Sequence, residues 1–147
     1  MSRFVSTVDI DASPTAVFDF HTDVRNLPKI MPLVKLVAYS KPALEQGAQF
    51  SVTLKPFALP VIEWLIEWSE FVHGAVLTDR QLRGPLKRLR HRRTFVQLPS
   101  GATRLTDDVE YEVKPGMRTL NAMVGPLVLA IVFRWRERLT KHALEHH

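Results

Sequence analysis

The stretch from Met117 to His142 limits the fold more than any other part of this 147-residue chain. Nothing else runs so far after its start without a turn signal. Leu120, Met123, Val124, Leu127, Val128, Ile131 and Trp135 recur at three- and four-residue steps, the spacing of one helix face. Between them, Ala122, Leu129, Ala130, Val132 and Phe133 are apolar as well. A helix that is apolar all round must be covered on most sides, so the rest of the chain has to wrap it. Gly125-Pro126 interrupts the pattern. Proline lacks an amide hydrogen and clashes with the preceding turn, so the helix either kinks there or begins near Gly125.

The preceding chain is punctuated at regular intervals. Phe4 to Ile10 alternates as a strand, with Phe4, Ser6, Val8 and Ile10 on one side. Ser13-Pro14 then supplies an N-cap and a first-position proline for a short helix over Pro14–His21. Asp23 caps a second short helix that ends near Ile30, kept irregular by Pro28 and Pro32. Six strands follow: Val34–Tyr39, Gln49–Leu54, Ile62–Phe71, Val76–Arg83, Arg88–Leu98 and Thr103–Val113. The turns between the later ones lie at His73-Gly74, Gly84-Pro85 and Pro99-Ser100-Gly101. Hairpin-linked strands with helices grouped at both ends predict an α+β antiparallel architecture. The economical solution is one curved sheet that grips the last helix.

Alternation also sorts the polar residues. On the last strand Arg104, Thr106, Asp108, Glu110 and Glu112 share the solvent side, which puts Asp107 with Leu105, Val109, Tyr111 and Val113 on the inner side. A buried carboxylate is costly unless paired. His91, Arg93 and Gln97 share the face of Phe95, so Arg93 or His91 opposite Asp107 would satisfy it. Asp79 and Gln81 lie one strand further back. The expected inner cluster is Asp79, Gln81, His91, Arg93 and Asp107, with Phe95 and Tyr111 beside it. It is either a structural ion-pair network or the polar end of a ligand site. Trp64 and Trp68, on one face with Ile66, are candidate walls, and Met123 and Leu127 of the last helix are the candidate wall opposite.

Composition excludes several alternatives. Chain length, a 46% apolar and a 24% charged fraction are those of one globular domain. Without cysteine there are no disulfides or thiolate metal sites. The histidines lack metal-ligand spacing and no nucleophile–base pair is visible, so neither a metal, a cofactor nor a catalytic residue is assigned. The run Lys87–Arg93 splits its charges between two strand faces and has no stacking aromatics, so no nucleic-acid partner is expected. The apolar core Ala122–Phe133 is short of the roughly twenty residues that span a bilayer. The expectation is a soluble cytoplasmic domain over residues 1–143, with 144–147 set aside as a purification-tag remnant. The cations Arg134, Arg136, Arg138 and Lys141 suit the negative helix end and could meet anionic lipid headgroups.

The order of motifs resembles the START-like (SRPBCC) lipid-binding superfamily, in its bacterial polyketide cyclase/dehydratase-like and coenzyme Q-binding-like branch. The resemblance is carried by Ile10-Asp11-Ala12-Ser13-Pro14 with Val17-Phe18, then Asn26-Leu27-Pro28 to Met31-Pro32. It continues through Asp79-x-Gln81-x-x-Gly84-Pro85, His91-x-Arg93-x-Phe95, and the alternating run Gly101 to Tyr111. It covers Arg3 to Lys141. It implies a helix-grip fold, a seven-stranded curved antiparallel sheet around the C-terminal helix with two short helices between strands 1 and 2 and a cavity between sheet and helix. The superfamily hosts carriers and enzymes alike, so fold does not settle function. The expected function is binding or transport of a lipid, quinone or polyketide-like molecule in that cavity. The alternatives are a cyclase/dehydratase- or hydrolase-type enzyme using the same cavity, and an interaction module. That module would dimerise, or make peripheral membrane contact, through the helix's outer face.

Overall fold

The computed structural model describes residues 1–31 and 33–145. The first alternating run forms β1 (Ser2–Ile10), its even-numbered residues turned inward. Ser13 caps α1 (Pro14–Thr22) through its side chain, which accepts from the amide of Ala16 at 3.2 Å. Asp23 caps a 3-10 turn over Val24–Asn26 in the same way, and α2 (Leu27–Ile30) follows. The strands are β2 (Val34–Tyr39), β3 (Gln49–Pro56), β4 (Ile62–Val72), β5 (Val76–Arg83), β6 (Arg88–Gln97) and β7 (Thr103–Glu112). Positive-φ glycines Gly74 and Gly101 sit in the hairpins before β5 and β7, where a side chain would be strained. Pro32 of the Asn26–Pro32 motif and His146–His147 of the expected tag lie outside the described residues.

The seven strands form one antiparallel sheet in the order β1-β7-β6-β5-β4-β3-β2. Its solvent face carries charge pairs such as Arg3–Asp108, Arg104–Asp9 and Arg92–Glu70. Such exposed pairs fix register more than they stabilise. The inner face holds two apolar clusters. One gathers Ile10, Val17, Phe18, Phe50, Val52, Leu54, Trp68, Leu77, Phe95 and Leu105. The other gathers Val109, Tyr111 and Phe133 with Phe4, Leu86, Leu89 and Leu129.

The last helix, α3 (Arg118–Glu145), follows a 3-10 turn over Pro115–Met117. It is continuous through Pro126, so the alternative start near Gly125 is set aside. The helix packs along β1, where Glu137 accepts from Ser6. Near its start Tyr111 donates to Asn121 Oδ1 at 2.9 Å, and Asn121 donates to Ser2 at 3.2 Å. Gly125 makes this approach possible: a Cβ there would meet Asn121 Oδ1 at 2.1 Å and the Tyr111 hydroxyl at 3.2 Å. Leu144, placed outside the domain by the sequence reading, packs on the larger core cluster.

The expected inward stripe of this helix is reversed. Phe133 is buried, and Leu129 and Val132 are half-buried. The uncovered residues are Leu120, Met123, Val124, Leu127, Val128, Ile131 and Trp135, the stripe that defined the helix in the sequence. The inward phase is set instead by Asn121, Gly125, Leu129 and Phe133, because hydrogen bonding to Tyr111 and close approach at Gly125 fix the helix rotation.

Candidate functional site

Between the two apolar clusters lies a layer of buried charge. Asp79, His91, Arg93 and Asp107 are each less than a tenth exposed. The register places Asp79 opposite His91 and Arg93 opposite Asp107. The bonds run diagonally instead. Arg93 Nη2 donates to Asp79 Oδ2 at 2.7 Å, and His91 Nε2 donates to Asp107 Oδ1 at 2.6 Å. Each buried charge thereby finds a partner on a neighbouring strand, which burial demands.

Burial pushes His91 below its ordinary imidazole value, with the positive charge of Arg93 acting in the same direction. Its ring is therefore neutral near pH 7 and donates one hydrogen bond to an ionised Asp107. Burial alone would raise the Asp107 carboxyl, but the bond from His91, with Arg136 and Arg93 nearby, holds it at about 2. The ring of His91 packs on Phe133, whose face is also covered by the Arg136 guanidinium at 5.2 Å, a cation–π contact.

Beside this layer is a cavity of about 80 Å³ between the short helices and the middle of the sheet. Arg93, Asp79 and Trp68 form its polar floor, Phe50, Val52 and Ile66 its apolar side, and His21, Val24 and Arg136 part of its rim. Two of the lining residues carry buried donors without a partner, Arg93 through Nε and Nη1 and Trp68 through Nε1. Buried polar groups are nearly always satisfied, so these donors call for acceptor atoms. His21 donates through Nδ1 to the carbonyl of Val17 at 2.7 Å, which leaves Nε2 as an acceptor. Burial first, and Arg93 second, hold His21 down at about 3. A surface groove of about 690 Å³ adjoins, lined by Tyr39, Pro42, Leu44 and His73 among others. Asp23 and Val24 line both spaces.

Of the expected site residues, Trp68, Asp79 and Arg93 line the cavity. His91 and Asp107 stand behind them in the charge layer. Phe95 is core, edge-on to Phe18 and His21. Tyr111 is committed to Asn121. Trp64 and Gln81 belong elsewhere: Trp64 Nε1 donates to Gln81 Oε1 at 2.8 Å, and Gln81 Nε2 donates to the Leu86 carbonyl at 2.7 Å. That lock closes over Gly84, where a Cβ would lie 2.3 Å from both side chains. Met123 and Leu127 are corrected outright. They are 76% and 64% exposed on the outside of α3 and cannot form the opposite wall.

Sequence reasoning missed His21, Val24 and Arg136. A signal existed for His21, which lies four residues after the buried Val17 and so shares its helix face. Arg136 follows from Phe133 by three residues, but only once the helix phase is known. Among the described residues, no group of three or more His, Asp and Glu side chains could hold a metal ion.

The model of the polyketide cyclase / dehydrase and lipid transport family matches residues 10–140. No curated protein matches the sequence. A START superfamily protein from Mycobacterium smegmatis superposes with a TM-score of 0.75 at 16% identity, over 98% of this chain and 97% of its own. A Chromobacterium violaceum protein gives 0.74 at 15% identity, over 99% of both chains. Norcoclaurine synthase from Thalictrum flavum gives 0.66 at 13% identity, over 99% of this chain and 87% of its own. At these identities the likeness is one of fold.

Proposed function

The chain belongs to the polyketide cyclase / dehydrase and lipid transport family, and from that premise we propose that it binds a small amphipathic molecule by an oxygen-bearing end. Family and fold support a hydrophobic-ligand role. The observation that carries the finer reading is the trio of buried, unpartnered donors, Arg93 Nε, Arg93 Nη1 and Trp68 Nε1, on two residues that line one cavity. An unmet buried donor costs about 1–3 kcal/mol, and a carbonyl or carboxylate oxygen seated there removes that cost.

Size divides the ligand in two. A volume of about 80 Å³ takes a small polar group and not a whole ligand, since sites for drug-sized molecules span about 300–1,000 Å³. The apolar remainder would pass Val24 into the adjoining groove. Each apolar Å² it buries contributes roughly 25 cal/mol. His21 also favours binding over acid–base chemistry: held at about 3, it is a poor general base near neutral pH, where an effective base titrates close to the working pH.

Native mass spectrometry of protein purified from its producing cells tests this reading. The expected result is an added mass that denaturation releases and Arg93→Gln diminishes. A bare polypeptide that also fails to bind medium-chain ketones and carboxylates saturably would overturn it.

A further inference from the structure

We propose that the outer face of α3, with the β3–β4 hairpin, docks on an anionic lipid bilayer. The most apolar 18-residue window of this helix has a mean hydropathy of 1.5, yet only 6% of it is buried. Leu120, Met123, Leu127, Ile131 and Trp135 project from it, each at least half exposed. Five large apolar side chains on one free helix face form a patch of the kind that marks a contact surface. Met117 to Trp135 extends about 27 Å at the helical rise of 1.5 Å per residue.

By length and composition the helix could cross a membrane. Its other face forbids that while the domain is folded. Asn121 is bonded to Tyr111 and Ser2, Phe133 is buried, and Glu137 accepts from Ser6. A helix with one face committed to a domain and the other apolar lies in the interface plane.

Charge selects the occupant. Arg118 stands before the stripe, and Arg134 and Arg138 at its far end are exposed. The helix's two carboxylates are engaged elsewhere, Glu137 with Ser6 and Glu145 with Lys141 and the Asp11 amide. A second copy packed antiparallel would set Arg118 against Arg134 and Arg138, and packed parallel would set each arginine near its twin. Both arrangements oppose like charges, whereas anionic headgroups complement both ends of the stripe. The β3–β4 hairpin repeats the pattern at the end of the sheet where α3 begins. Leu33 and Phe57 are exposed there, in a hollow that Lys35 and Lys55 also line. Trp135 next to Arg134 suits the headgroup level.

The test is co-sedimentation with phosphatidylcholine vesicles, with and without phosphatidylglycerol, together with light scattering of the free protein. The proposal expects a monomer that binds the anionic vesicles, binds the neutral ones weakly, and releases as salt rises. The double variant Leu127→Glu, Ile131→Glu should weaken binding more than about tenfold with melting unchanged. Arg118→Glu with Arg134→Glu should remove the preference for anionic lipid. Absence of binding to either vesicle, or binding untouched by both variants, overturns the proposal. So does a dimer that Leu127→Glu, Ile131→Glu dissolves, because the face then belongs to a second copy.

Discussion

Arg93 stands directly across from Asp107 in the β6–β7 register, yet it donates to Asp79 on β5, while Asp107 takes its hydrogen bond from His91. The crossing ties three strands together and turns two guanidinium nitrogens of Arg93 to a buried position without partners. One side chain thereby both holds the sheet and furnishes the cavity.

This double role predicts a non-additive cost. Arg93→Met should destabilise by about 3–5 kcal/mol, since it strands the Asp79 carboxylate in the interior. Adding Asp79→Asn to Arg93→Met should recover much of that loss. Urea unfolding of the two single variants and the double checks the coupling. Additive losses would mean that the two groups do not depend on each other.

Acidification should unfold the domain from the histidines first. His21 has a folded value of about 3 against 6.5 unfolded, and His91 is lowered as well. Below pH 6.5 the unfolded chain takes up protons that the folded chain refuses, so stability present above 6.5 is lost as pH falls toward 3. Each such proton contributes a slope of up to about 1.4 kcal/mol per pH unit. Asp107, depressed to about 2 from 3.8, adds a further loss only below about pH 4. Chemical unfolding at pH 7, 6 and 5 reads the first window, and His21→Gln should flatten it. A flat profile from 7 to 5 would contradict the assignment.

Gly84→Ala should cost about 1–3 kcal/mol. The added Cβ would lie 2.3 Å from the Trp64 ring and the Gln81 amide oxygen, so the indole must move and the bond to Gln81 is lost. Thermal unfolding checks it. Trp64→Phe in the same background should erase most of the difference, because the lock is then already open.

Val24 lines both the cavity and the groove. Val24→Ala should raise the association rate of a medium-chain ketone, and Val24→Trp should lower it, in stopped-flow fluorescence. Equal rates in all three proteins would place the ligand's path elsewhere.

Much of this arrangement was legible in the sequence, for specific reasons. Period-two alternation in β6 and β7 placed His91, Arg93 and Asp107 on the inner face, because burial on one side of a sheet leaves no freedom in that choice. Ser13-Pro14 announced α1 through cap chemistry alone. The phase of α3 was not legible. Its apolar residues circle the helix, so periodicity could not say which stripe faced in. The deciding residues were the polar Asn121 and the small Gly125, whose value lies in a bond to Tyr111 ten residues earlier. Trp64 and Gln81 were misplaced because they meet each other across two strands, a pairing that alternation within one strand cannot reveal.

The most direct test of the central claim is the set of indole N–H resonances from Trp64, Trp68 and Trp135, the chain's three tryptophans, followed by ¹⁵N–¹H spectroscopy during titration with decanoate and with 2-undecanone. Trp64 already donates to Gln81 and Trp135 lies on the outer face of α3, whereas Trp68 lines the cavity and its indole N–H is buried without a partner. The account predicts a saturable shift of the Trp68 signal with at least one probe, absent in Arg93→Gln, while the Trp64 signal stays in place. A Trp68 signal that stays fixed while either probe binds would contradict it.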